Sequence, residues 1–154
     1  MSETAVPEVT IKNSVSISCS PAAAFAYVSD ITTHPDWSVD NIRVESRPEG
    51  KIAIGSRYRT VGHSVVRQGD QEAEIEVTVL EPPRRFEFIA RSGPREFQHL
   101  FTFEEGADGT IVERVMTFIP DAVARDRMQQ ISGLIAEHNR ASLALLKEQL
   151  ERSG

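Results

Sequence analysis

Cys19 is the only cysteine among 154 residues, which leaves no partner for an internal disulfide. No stretch approaches the roughly 20 apolar residues that span a bilayer, so membrane insertion is not expected. Residues 1–8 are acidic and carry no apolar run of the kind a secretory signal needs. They read as a disordered tail ahead of a single globular domain over residues 9–152, and the chain reads as cytoplasmic. Positive charge is in deficit, with 17 Lys and Arg against 23 Asp and Glu. The net charge of −6 speaks against nucleic acid or an anionic membrane surface as the main partner. Also missing are a Gly-rich phosphate loop, a serine elbow and a cysteine with nucleophile context. His34, His63, His99 and His138 form no close pair and have no cysteine partner, so neither a metal site nor a cofactor is expected.

What the chain does have is period. Over residues 121–152 no Pro intervenes and Ala, Leu, Met, Gln, Glu, Lys and Arg dominate, which predicts one long helix starting after Pro120. At 100° per residue Ala124, Met128, Ile131, Leu134, Ile135, Leu145 and Leu146 share a face. Arg127, His138, Ser142 and Gln149 lie within that stripe, with His138 near its centre. A helix that only seals a core would rarely carry those four, so the stripe is expected to close a cavity as well. Gly133 points away from the stripe and marks either a bend or a close crossing.

Ahead of the helix the period is two. Val9, Ile11, Val15, Ile17 and Cys19 alternate with polar residues, with Asn13 the one polar residue on the apolar side and Cys19 expected as a buried thiol. Ser20-Pro21 reads as helix cap and first helical residue, and Asp30 as the cap of a second short turn ending before Pro35. Strands follow over residues 42–45, 56–66, 72–79, 85–91, 97–103 and 110–119, separated by Gly, Pro and Asp turns. In the fourth of the chain's strands Ala73, Ile75, Val77 and Val79 face inward, against Glu72, Glu74 and Glu76 on a solvated face. Both faces of the last strand are apolar, and its inward face stays unassigned. The fold class is therefore α+β: a seven-stranded antiparallel sheet curled around a long C-terminal helix, with two short helices between the first and second strands. The terminal helix is the only element long enough to cover the sheet, and space opens where the two diverge.

Several punctuating segments carry a family resemblance. They are Ser20-Pro21-Ala22-Ala23-Ala24-Phe25, Val28-Ser29-Asp30-Ile31 leading to His34-Pro35-Asp36-Trp37, Gly55-Ser56-Arg57-Tyr58, Val79-Leu80-Glu81-Pro82-Pro83-Arg84-Arg85-Phe86 and Asp108-Gly109-Thr110. With these the chain resembles the START/Bet v 1-like (SRPBCC) superfamily, and within it the polyketide cyclase/dehydrase branch. The resemblance implies a helix-grip fold with a cavity between sheet and helix. It implies less about function, because that scaffold serves lipid carriers, pigment binders, aromatic cyclases and co-chaperones.

On this footing a cavity of a few hundred Å³ is expected, lined by Phe86, Phe88, Phe101, Met128, Ile131 and Ile135. Trp37 and Tyr58 are candidate aromatic walls, although a structural role suits Trp37 equally. His138 and His99 are candidates for acid/base work or for anchoring a ligand carbonyl; the plainer reading of each is a satisfied core histidine. Arg127 could attract an anionic ligand at the mouth, or pack as a rim residue. The reading is binding of an apolar or aromatic, lipid- or polyketide-like molecule. The alternatives are a polyketide cyclase or dehydratase using His138 and His99, and a co-chaperone-like interaction domain. Monomer and homodimer are both compatible with it.

Overall fold

Alternation in the sequence becomes seven strands: β1 (Val9–Ile17), β2 (Arg43–Ser46), β3 (Arg57–His63), β4 (Asp70–Glu81), β5 (Arg85–Ser92), β6 (Arg95–Gly106) and β7 (Gly109–Phe118). A computed structural model describes residues 8–39, 42–63, 69–120 and 125–153. The strands form one antiparallel sheet in the order β1-β7-β6-β5-β4-β3-β2. Between β1 and β2 lie α1 (Pro21–Ser29) and a 3₁₀ helix (Ile31–Asp36), and α2 (Met128–Ser153) ends the chain. This is the helix-grip architecture expected.

The start signals act as predicted. Ser20 Oγ accepts from the Ala23 amide at 3.1 Å with Pro21 in the first turn, and Asp30 Oδ1 accepts from the Thr32 amide at 3.0 Å. The second helix nevertheless runs past Pro35 to Asp36. Three residues per turn put Ile31, His34 and Trp37 one above another on its inner side, and all three are buried.

Other expectations need correcting. The predicted helix is interrupted: Arg125 is helical, Asp126 and Arg127 form a turn, and the long helix α2 runs on from Met128, while residues 121–124 lie outside the described residues. Residues 125–127 are exposed while Met128 packs against Ile131 and Ile135, so the long helix sets in where burial does. Ala124 and residues 64–66 of the third predicted strand lie outside the described residues. The buried face of α2 is Ile131, Ile135, Asn139, Ser142, Leu143, Leu146 and Leu150, whereas Leu134 is 42% exposed. His138 is half-buried on the flank of that face, not at its centre. Gly133 faces open space, so no close crossing accounts for it.

In β4 the register slips between Val77 and Val79, and after this bulge Leu80, not Val79, packs on the core. In β7 the even residues Thr110, Val112, Met116 and Phe118 are buried, which settles its inward face and puts Arg114 on that side. Cys19 lies past the end of β1 and is half-buried; burial still raises its thiol pKa. Asn13 Nδ2 donates to the Ala136 carbonyl at 3.2 Å, which ties β1 to α2.

The helix does not cover the sheet alone. One core cluster joins Phe25, Val28, Ile31 and Trp37 to Val77, Phe86, Phe101, Leu143 and Leu146. A second joins Ile11, Met116 and Phe118 to Ile131 and Ile135. On the opposite sheet face Arg57–Glu74 at 2.9 Å pairs across strands in an exposed position, where such a pair adds little stability, and Arg91–Glu76 at 2.8 Å does so half-buried.

Candidate ligand-binding site

A pocket of about 220 Å³ lies between the two core clusters. Ile31, Trp37, Phe88 and Phe101 line it from one cluster, and Phe97, Phe118, Ile131 and Ile135 from the other. Aromatic rings in this lining pack on one another. Trp37 meets Phe101 edge to face at 6.1 Å, and Phe88 stacks on His99 with centroids 4.8 Å apart and planes 17° apart.

Three polar side chains converge on this wall from three elements. His34 projects from the 3₁₀ helix, His99 from β6 and Arg114 from β7. His34 Nε2 donates to the Val28 carbonyl at 2.8 Å, because a carbonyl can only accept. Arg114 Nη2 donates to His99 Nδ1 at 3.2 Å, and its guanidinium carbon lies 5.4 Å from the Phe101 ring centre. Both imidazoles are held neutral at pH 7. Burial drives the His34 pKa down to about 4, helped by the Arg114 charge and opposed by the Val28 bond and Asp30. Burial, then the charges of Arg114 and His34, lowers His99 well below the ordinary histidine value.

The predicted site residues divide. Trp37, Phe88, His99, Phe101, Ile131 and Ile135 line the pocket. Phe86 is fully buried behind it, against Phe88 and Phe101. Tyr58 is buried in the core but borders other surface hollows, and Met128 packs in the second cluster outside the lining. Arg127 is exposed beside Gln130, and His138 is absent from the lining. Sequence reasoning missed Arg114 and His34. The three-residue spacing of Ile31, His34 and Trp37 was a usable signal for His34; Arg114 had none, since both faces of its strand look alike. Among the described residues no group of three His, Cys, Asp or Glu could hold a metal ion. Among the described residues no helix is long and apolar enough to cross a membrane.

A family model described as polyketide cyclase/dehydrase and lipid transport matches residues 8–151. No functionally curated protein matches the chain. Solved structures share the fold at low identity. A protein of Chromobacterium violaceum is 17% identical over 93% of this chain and 98% of its own, with a TM-score of 0.69. A Staphylococcus aureus protein of unknown function is 11% identical over 96% of both chains, with a TM-score of 0.74. The di-domain ARO/CYC StfQ of the steffimycin biosynthetic pathway is 11% identical over 95% of this chain and 51% of its own, with a TM-score of 0.76.

Proposed function

The chain belongs to the polyketide cyclase/dehydrase and lipid transport family, and we propose that its pocket binds an apolar or aromatic small molecule, lipid- or polyketide-like in class. The observation that carries this reading is the pocket wall itself. Trp37, Phe88, Phe97 and Phe101 line an opening between two packed clusters together with Ile31, Ile131 and Ile135. Covering about 150 Å² of a bound ring system at roughly 25 cal/mol per Å² is worth roughly 4 kcal/mol before association costs.

A cyclase or dehydratase acting through His99 and His138 has less support. His138 stands outside the lining, and His99 already accepts at Nδ1 from a guanidinium. With its proton at Nε2, that ring has no lone pair left with which to act as a base.

Native mass spectrometry of protein purified without detergent tests the proposal. A retained small molecule, or stoichiometric uptake of added naphthalene, is the expected result. The apo mass alone, with no uptake, would overturn it.

A further inference from the structure

We infer that His34 and His99 together recognise a hydroxyl, so that the pocket prefers an apolar ring system bearing an un-ionised phenol over the same frame bearing an acceptor alone. The inference rests on the ligand-binding reading and narrows its ligand class. The protein commits one nitrogen of each imidazole, and in opposite senses. The Val28 carbonyl, 2.8 Å from His34 Nε2, only accepts, so that nitrogen carries the proton and the neutral ring keeps its lone pair at Nδ1. Val28 lies outside the pocket lining, so this bond turns Nε2 away from the pocket. Arg114 Nη2, 3.2 Å from His99 Nδ1, only donates, so the neutral His99 ring carries its proton at Nε2. That assignment holds whatever else the guanidinium touches. Among the described residues neither His34 Nδ1 nor His99 Nε2 has a hydrogen-bond partner.

One acceptor and one donor are thus left over in the lining, on rings held by their neighbours. Both rings are more than nine-tenths buried, at 6% and 8% exposed. His34 packs on Trp37 and Phe88, with centroids 4.7 and 5.7 Å away, and His99 stacks on the same Phe88 at 4.8 Å. The two lie close enough that charge on His34 lowers the His99 pKa. Buried donors and acceptors gain most when each meets its complement. An ether, a ketone or a carboxylate only accepts. It would match His99 and turn an oxygen lone pair toward the lone pair of His34. A hydroxyl does both, donating to Nδ1 of His34 and accepting from Nε2–H of His99.

Calorimetry at about pH 7 with naphthalene, 2-methoxynaphthalene and 2-naphthol tests this, since a phenol is un-ionised there. The naphthol is the least apolar of the three, so burial of apolar surface alone would put it last. The expected result is the reverse, with 2-naphthol roughly 10-fold or more tighter than 2-methoxynaphthalene. His34→Phe keeps a ring and removes the acceptor. The two Kd values should then come within about 2-fold of each other, whatever happens to either affinity. If 2-naphthol binds no tighter than 2-methoxynaphthalene in the unmodified protein, or keeps its preference in folded His34→Phe, the inference is overturned and apolar binding stands. If none of the three binds, the ligand-binding reading fails and the inference with it. A second measurement needs no variant. Long-range ¹H–¹⁵N spectra should show both rings as Nε2–H tautomers, with the His34 Nδ1 resonance moving upfield on addition of 2-naphthol and not of 2-methoxynaphthalene. An Nδ1–H tautomer at either ring, or a His34 Nδ1 indifferent to 2-naphthol, would overturn the inference.

Discussion

Phe88 and His99, on neighbouring strands and paired in register, lie face to face with ring centroids 4.8 Å apart. The stack fixes the plane of the imidazole, and so the direction of its two nitrogens. Phe88→Leu should remove it and loosen the wall, with a loss of roughly 1–2 kcal/mol in urea unfolding. A variant as stable as the parent would show that the stack holds nothing.

Stability should depend on pH through His34. Its folded pKa of about 4 lies below the ordinary histidine value of 6.5. Between those values the unfolded chain binds the extra proton, so stability is full above pH 6.5 and falls as pH drops toward 4. The loss attributable to this ring is about 3 kcal/mol. Urea unfolding across that window should show the fall, and His34→Gln should flatten it. Parallel profiles for parent and variant would contradict the assignment.

Two glycines should respond oppositely to alanine. Gly109 has φ +137° and a Cβ there would stand 2.2 Å from the Ile17 carbonyl oxygen, at the turn where Thr110 Oγ1 donates to the Cys19 carbonyl at 2.7 Å. Gly109→Ala should cost about 3 kcal/mol or more, or prevent folding. Gly133 is helical with open space around it, and Gly133→Ala should add about 0.5–1 kcal/mol. Thermal melts read both.

His138→Gln should leave naphthalene affinity within about 2-fold and stability within about 0.5 kcal/mol, since the ring lies outside the pocket lining. A 10-fold loss of affinity would return His138 to the site.

The strands were legible because one face meets water, so burial writes a period of two into β4 and β6. That signal fails where geometry departs from it. The bulge after Val77 shifts the inward residue to Leu80, and no sequence pattern marks it. It fails again in β7, where pairing with β6, and not polarity, turns Arg114 inward opposite Phe101. On α2 the apolar stripe led to His138 because Leu134 and Leu145 pull its centre that way. The true face instead buries Ser142, whose hydroxyl accepts from the Val39 amide at 3.1 Å, and Asn139, whose amide lies 3.8 Å from Met116 Sδ. Those partners come from distant parts of the chain, which periodicity does not see.

Trp37 offers the most direct test of the pocket as a ligand site. It is the only tryptophan, is 2% exposed and lines the pocket, and its Nε1 is buried without a hydrogen-bond partner among the described residues. Its indole N–H therefore gives a single, self-assigned resonance in a ¹H–¹⁵N spectrum. Titration with naphthalene should move that resonance saturably, at one ligand per chain, with the rest of the spectrum remaining that of the folded protein. An indole resonance that stays in place up to the solubility limit of naphthalene would contradict the account.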